Sequence, residues 1–445
     1  MKTKLSKQNV CRLLLCLILV VSIALPSCDF SSMLLSQQTE ATSAQSNNTS
    51  GTTTAPTTSN QPNQTTTQSA NSGSSPSTGD NEGGTTTVIQ NNIVINGGSG
   101  DVSYAAAIGL QSTVSVHAAF EQLNGTSSGS GIVYDLDAET GSAFIITNFH
   151  VVSYYSYRTG MLTANQIYIC TYGMEYSNYL IPATYVGGSE SYDVAVLRVE
   201  NSEILKDIAA NGAVRSADLA NSDALAPGQT AIAIGNPESD GISVTTGIVS
   251  VASESLTMAS VSNKQVTHRV IRIDTAVNHG NSGGGLFNSQ GKLIGLVNAK
   301  IIKEDVENIG YAIPSNIVRA VADNIIDHCY QKDCKSVMRA MHGVTVVLTN
   351  VTTSYNNETG LIDIFEEVTV YEVSEGSLAY NILQENDIVK QIKIGDRVVE
   401  VTRQYQLIDA MLDARVGDTV SITVIRSGVE ITLDIVITQD CLTAY

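Results

Sequence analysis

The sequence predicts a mainly β protein, and three observations carry that prediction. From Val102 to about Pro314, short β-branched, alternating runs recur between Gly, Asn and Ser clusters: "STVSVHAAF", "SAFIITNFHVV", "DVAVLRVE", "TAIAIGNP" and "KLIGLVNAKII" among them. Many short strands at regular spacing describe an antiparallel barrel or sandwich of about 200 residues. The stretch "PSNIVRAVADNIIDHCY" then places Ile317, Val318, Val321 and Ile325 on one helical face, with Ser315 as its expected N-cap. Residues 341–440 finally read as a smaller α+β unit, with strands at 343–349, 363–373, 388–394 and 397–402 and helices near 377–383 and 404–414. It ends in a hairpin turning at Ser427-Gly428.

The N-terminal hundred residues are of another kind. Lys2, Lys4, Lys7 and Arg12 lead into the apolar run "LLLCLILVVSIAL", which is too short to span a bilayer and has the shape of an export signal. It closes on "LPSC", residues 25–28, which resembles the bacterial lipobox, in which Cys28 would be acylated and become the first residue of the mature chain. Residues 1–27 are then the signal peptide; a plain signal peptide or an uncleaved anchor is the competing reading. Residues 28–101 are read as a tether, because 41–79 carry no charge and consist mainly of Ser, Thr, Asn, Gln, Gly and Pro. Such a composition cannot bury enough apolar surface to offset chain entropy. A coil of ~70 residues has a typical end-to-end distance of about 45 Å, which suits a stalk.

Charge and cysteines narrow the function. The formal charge is −19, and removing the signal peptide takes away four cations. That disfavours nucleic acid and attachment to an anionic bilayer through a basic patch, both of which need Lys and Arg. Cys170, Cys329, Cys334 and Cys441 lack the paired spacing of a zinc site, so no metal and no cofactor are expected. In "HCYQKDC", Cys329 and Cys334 could pair or remain thiols, and the spacing leaves both open.

The segment "NHGNSGGGLFN", 278–288, sets one serine among glycines ahead of an apolar pair. By itself it reads as a turn. A serine becomes a nucleophile only when an imidazole takes its proton, a carboxylate orients that imidazole and backbone N–H groups receive the oxyanion. Of the six histidines, His117 lies in an alternating strand, His268 in a polar turn, and His328 and His342 at the edges of the second unit. His150 ends the apolar strand "AFIITNFHVV", and Asp193 directly precedes the buried-looking strand of "SYDVAVLRV". Each alone would pass for a structural residue.

Together, "TNFHV" (147–151), "DVAVLRV" (193–199) and "GNSGG" (280–284) place His, Asp and Ser in that order across one β-rich region. This resembles the chymotrypsin-fold serine proteases and, within them, the HtrA (DegP-like) family. "SGSGIVY", "AIGNP", "GIVS" and "GYAIPSN" match that family in order as well. The resemblance implies a chymotrypsin-like double β-barrel protease domain over 102–330. Ser282 would be the nucleophile, His150 the general base and then acid, and Asp193 the group fixing the histidine tautomer. The N–H groups of Gly280 and Ser282 would form the oxyanion hole, with Gly283 and Gly284 admitting the substrate. "LVNAKIIKED" would line the primary specificity pocket through Asn298, Ala299, Lys300 and Ile301. Small aliphatic side chains are expected there, with Lys300 leaving the preference open.

Two positions depart from the family pattern: His279 and Gly285 stand where prolines are usual, which is expected to loosen the loop. Residues 341–440 resemble a PDZ domain, with Met341, His342, Gly343 and Val344 as the loop that binds a peptide carboxylate and "EGSLAYNILQENDIV" as a partial match to the family's following segment. The resemblance implies an exported, lipid-anchored serine endopeptidase acting on unfolded or damaged envelope proteins and regulated by peptide C-termini. It also implies a homotrimer through the start of the protease domain, where "DVSYAAAIGL" offers only Tyr104 as an aromatic contact. The competing class is a catalytically silent adaptor or chaperone that works through the PDZ-like unit.

Overall fold

The computed structural model describes residues 86–90, 93–97, 100–174, 179–299, 309–340 and 343–444. The export signal, Cys28 and most of the tether lie outside these residues. At the end of the expected tether, β1 (Thr86–Gln90) pairs antiparallel with β2 (Ile93–Gly97). Val88, Ile89, Ile93, Val94 and Ile95 supply the apolar β-branched residues that the preceding Ser/Thr/Asn/Gln stretch lacks. Helix α1 (Val102–Ser112) follows, with Asp101 as its N-cap accepting from the Ser103 N–H at 2.8 Å.

Two closed six-stranded barrels come next. The first is built from β3 (Thr113–Phe120), β4 (Gly125–Asp137), β5 (Ser142–Thr147), β8 (Gln166–Thr171), β9 (Ile181–Ser189) and β10 (Val194–Val199), with the hairpin β6 (Ser153–Ser156) and β7 (Gly160–Thr163) leaving it between β5 and β8. Around the barrel the order is β10-β5-β4-β3-β8-β9, and every pair is antiparallel. Val114, Val116, Ile145, Ile169, Ile181 and Leu197 fill it. The second contains β11 (Thr230–Gly235), β12 (Ser243–Ala259), β13 (Gln265–Ile273), β14 (Gly285–Phe287), β15 (Leu293–Val297) and β16 (Gly310–Pro314), closed in the order β11-β12-β13-β16-β15-β14. Closure leaves no open sheet edge in either barrel.

Short helices α2 (Phe149–Val152) and α3 (Glu203–Ala210) decorate the first barrel. Helix α4 (Ser315–Cys329) turns Ile317, Val318, Val321 and Ile325 into a core shared with Ile132, Ile234 and Phe287, so it seals the seam between the barrels. Its cap differs from the sequence expectation. Pro314 occupies the N-cap position, and the Ser315 hydroxyl donates instead to the Ala220 carbonyl at 2.7 Å.

The C-terminal unit is a sheet in the order β18 (Val344–Tyr355), β19 (Ile362–Val373), β20 (Ile388–Ile394), β22 (Thr419–Arg426), β23 (Val429–Val436), with β21 (Arg397–Glu400) on β20 and helix α5 (Gln404–Ala410) beside it. The β22–β23 hairpin turns at Ser427 (φ 52°) and Gly428 (φ 81°), as the sequence indicates. The helix expected near 377–383 is a run of turns instead, from Glu375 to Leu383. Gly376 and Asn381 have φ of 77° and 67° there, which interrupts a helical path. A last small pair, β17 (Met338–Ala340) with β24 (Leu442–Ala444), returns the chain end to the connector after α4.

Candidate active site

Three connecting segments deliver three side chains to the seam between the barrels. His150 lies in α2, directly after β5, and Asp193 immediately precedes β10. Ser282 sits in the turn leading into β14 of the second barrel. His150 Nδ1 is 2.7 Å from Asp193 Oδ2, and His150 Nε2 is 2.9 Å from Ser282 Oγ. The backbone N–H of His150 also donates to Asp193 Oδ1 at 3.0 Å, so the carboxylate holds both ring and main chain. Asp193 itself is at φ 52°, a left-handed conformation costing about 1–3 kcal/mol in a non-glycine residue. The side chain of Asn148 donates to the Asp193 carbonyl at 2.8 Å and helps to keep it there.

Burial pushes the Asp193 carboxyl upward. The charge and hydrogen bonds of His150, with a smaller contribution from His268, outweigh that and hold it below its ordinary range. Asp193 is therefore an anion beside Nδ1, which fixes the proton on that nitrogen and leaves Nε2 free to accept from Ser282. His268, placed in a polar turn by the sequence, is instead a buried residue of β13 that adds to this field.

The serine turn is held by its glycines and by the turn opposite. Gly280 has φ 92°, and a Cβ there would lie 2.2 Å from the Asn236 carbonyl oxygen. The Glu238 N–H donates to the His279 carbonyl at 2.9 Å. In a trans peptide this points the Gly280 N–H to the opposite side. Ser130 Oγ donates to the Gly280 carbonyl at 2.7 Å and accepts from the Asn236 N–H at 2.8 Å, tying β4, the 236–239 turn and the serine turn together. Among the described residues no hydrogen bond engages the N–H of Gly280 or of Ser282.

Several expectations change at this resolution of detail. Gly283 and Gly284 do not open space for substrate: their missing Cβ atoms would strike the Ser130 and Ile234 carbonyls, at 2.2 and 2.3 Å. They let the chain's own backbones close together. Asn298, expected in the pocket wall, is buried, and its side-chain amide donates to Asp193 Oδ2 at 2.8 Å. The Ala299 N–H donates to Ser282 Oγ at 3.2 Å. Lys300 and Ile301 lie outside the described residues. His279 is exposed, whereas Gly285 is buried in the first position of β14 with a virtual Cβ 2.2 Å from the Phe287 ring. The Gly285 position is thus filled rather than loose. Ser130, Asn148 and the Glu238 N–H carry no recognisable sequence signal for these contacts, because each partner is distant in the chain, and for Ser130 it lies in the other barrel.

A second concavity lies in the C-terminal unit. A groove of about 310 Å³ runs between the start of β18 and α5, lined by Val344, Val346, Leu383, Leu407, Ile408 and Met411 among others. Among the described residues, β18 is the terminal strand of its sheet and pairs with β19 alone. Gly343 (φ 68°) and Val344 stand at the groove, while Met341 and His342 lie outside the described residues.

Two closed barrels that meet at a serine, a histidine and an aspartate within hydrogen-bonding distance define the trypsin-like class of serine protease. A family model described as a trypsin-like peptidase domain matches residues 129–296. The serine protease Do-like HtrA of Bacillus subtilis is 34% identical over 321 residues, covering 70% of this chain and 64% of that protein. The protein of the same description from Lactococcus lactis subsp. lactis is 31% identical over 320 residues, 70% of each chain. Among solved structures, the HtrA-type protease AlgW with tripeptide superposes with a TM-score of 0.51 at 24% identity, over 77% of this chain and 97% of that one. The chain belongs to the HtrA/DegP family of serine proteases. It is mainly β, as its sequence predicts.

Proposed function

We propose that this protein is an exported serine endopeptidase that hydrolyses peptide bonds in unfolded or damaged proteins of the cell envelope. The single observation that carries the proposal is the continuous relay from Asp193 through His150 to Ser282 Oγ, with contacts of 2.7 and 2.9 Å. Ser282 Oγ attacks the scissile carbonyl as its proton passes to His150 Nε2. Asp193 stabilises the resulting imidazolium, and the N–H groups of Gly280 and Ser282 take the oxyanion. His150 then protonates the leaving amine, and water reverses the sequence on the acyl-enzyme. The Ala299 N–H competes for the lone pairs of Ser282 Oγ and must yield as the substrate carbonyl arrives.

Unfolded chains fit the reading because an endopeptidase site at a seam between barrels needs an extended segment. The open edge of β18 and its apolar groove favour a peptide C-terminus added as a further strand, with the turn at Gly343 near its carboxylate. The same proposal includes acylation at Cys28, the tether as a stalk from the membrane, and a homotrimer through the region of Tyr104.

The test is proteolysis of an unfolded protein by the full chain in detergent beside Ser282→Ala, with and without a peptide ending in apolar residues. Cleavage that disappears in the variant and rises with the peptide supports the reading. A folded wild-type chain that cleaves nothing in either condition overturns it and leaves the adaptor class.

A further inference from the structure

Helix α4 ends at Cys329, and the chain at once folds back: the Lys332 N–H donates to the Cys329 carbonyl at 3.1 Å, and Gln331 is at φ 58°. This turn returns Cys334 to the end of the helix. Both thiols then reach one acceptor, with Cys329 Sγ 3.3 Å and Cys334 Sγ 3.1 Å from the Ser336 carbonyl oxygen. Two sulfurs that share one oxygen at these distances are neighbours. The two differ in access: Cys329 is 1% exposed, whereas Cys334 is half-buried at the surface.

The connector they bracket is anchored rather than loose. The Gly188 N–H donates to the Lys335 carbonyl at 3.0 Å, Lys335 Nζ donates to the Val186 carbonyl at 3.2 Å, and Ser336 bridges Gly188. Val337 is fully buried. Residues 334–337 therefore lie along β9 of the first barrel while leading from α4 to the C-terminal unit.

We infer that Cys329 and Cys334 form a redox-responsive disulfide that staples the connector between the protease barrels and the C-terminal sheet to the end of α4. The oxidant is a small-molecule disulfide. The Cys334 thiolate attacks one of its sulfurs and expels one thiol, leaving a mixed disulfide on Cys334. Cys329 attacks the Cys334 sulfur, its proton passing to the departing thiolate, and the second thiol is expelled. Two cysteine thiols and one external disulfide thus become one internal disulfide and two external thiols. Cys334 is the attacking partner because burial, reinforced by Cys334 itself, pushes the Cys329 thiol up to about 12. Cys329 resolves the mixed disulfide because it is already adjacent.

The connector sequence makes the test direct. Trypsin cuts after Arg319, Lys332 and Lys335, so each cysteine falls in its own peptide, 320–332 and 333–335. The reduced full chain is incubated with 2-hydroxyethyl disulfide, blocked with an alkylating reagent in denaturant, digested and weighed. The expected product is the two peptides joined, two hydrogens lighter than their sum, and separated by reductant. Cys329→Ser is expected to retain a stable hydroxyethylthio cap on Cys334, and Cys334→Ser to leave Cys329 unmodified until the protein is denatured. The oxidised wild type is expected to melt several degrees above its reduced form, with no such difference in Cys334→Ser. Recovery of both wild-type peptides separately alkylated, or of both separately capped, overturns the inference. So does a reductant effect on melting of equal size in wild type and Cys334→Ser.

Discussion

The side-chain amide of Asn298 lies 2.8 Å from Asp193 Oδ2, the same oxygen that meets His150 Nδ1. The carboxylate is thereby pinned from the second barrel as well as from its own. Asn298→Ala removes this donor and leaves the triad side chains in place. A hydrogen bond to a charged group is worth about 1.5–3 kcal/mol, so kcat on an unfolded substrate is expected to fall roughly 10- to 100-fold. Asn298→Asp sets a second carboxyl against Asp193, and its loss at pH 7 should exceed that of Asn298→Ala. Equal activity of Asn298→Ala and wild type would show that the contact has no part in orienting Asp193.

Gly280→Ala is expected to abolish most activity without unfolding the chain. The added methyl would sit 2.2 Å from the Asn236 carbonyl, at a residue whose φ of 92° already excludes side chains. Relief requires the turn to rotate, and the N–H proposed to receive the oxyanion rotates with it. Loss of one such donor costs about 3 kcal/mol, so kcat should drop on the order of 100-fold. Circular dichroism and thermal melting close to wild type, alongside that loss, separate a local from a global effect.

Gly285→Pro, which restores the residue usual in related sequences, should destabilise this protein rather than firm its loop. A ring carbon at the Cβ position would lie 2.2 Å from Phe287, in the shared core of both barrels. Overpacking of this kind typically costs about 1–3 kcal/mol. The check is the melting temperature of Gly285→Pro against Phe287→Leu and the double variant. Rescue by the smaller partner identifies the clash, and an unaltered single variant would show that the core can yield.

How far the sequence led follows from what each contact depends on. The strands were legible because alternation and β-branching are local properties: "STVSVHAAF" becomes β3 and "DVAVLRVE" becomes β10. His150, Asp193 and Ser282 stood out because their flanking segments occur in a fixed order. α1 and α3 carry no such local signal, since "VSYAAAIGL" and "EILKDIAA" are short and lie among strand signals. The bond of Asn298 to Asp193 joins residues 105 apart in the chain. Ser130 binding the Gly280 carbonyl, across 150 residues, has the same character. Such pairings are set by how two barrels pack, which no local pattern encodes.

The contact between α5 and the second barrel is pH-sensitive through Asp409. Arg269, on β13, is 6% exposed at its side chain and pairs with both Asp223 and Asp409, while its guanidinium lies 3.9 Å from the Tyr405 ring centre. The groups facing Asp409 are Arg269, Arg397 and Asp223. Burial pushes its carboxyl up to about 6; Arg269 opposes that shift, and the Asp223 charge adds to it. Because the folded state holds this proton more tightly than the unfolded chain, the group's stabilising contribution is complete below pH ~4 and is lost as pH rises to about 6. Roughly 3 kcal/mol is at stake across that window. Asp409→Asn keeps a hydrogen-bonding side chain and leaves Asp223 to neutralise Arg269, but it cannot titrate. Its stability relative to wild type should therefore rise between pH 4 and pH 6.5 and level off above. Paired thermal or urea unfolding curves across that range measure the difference directly. A gap that stays constant with pH would mean that Asp409 remains ionised throughout and that Arg269, rather than burial, dominates its titration.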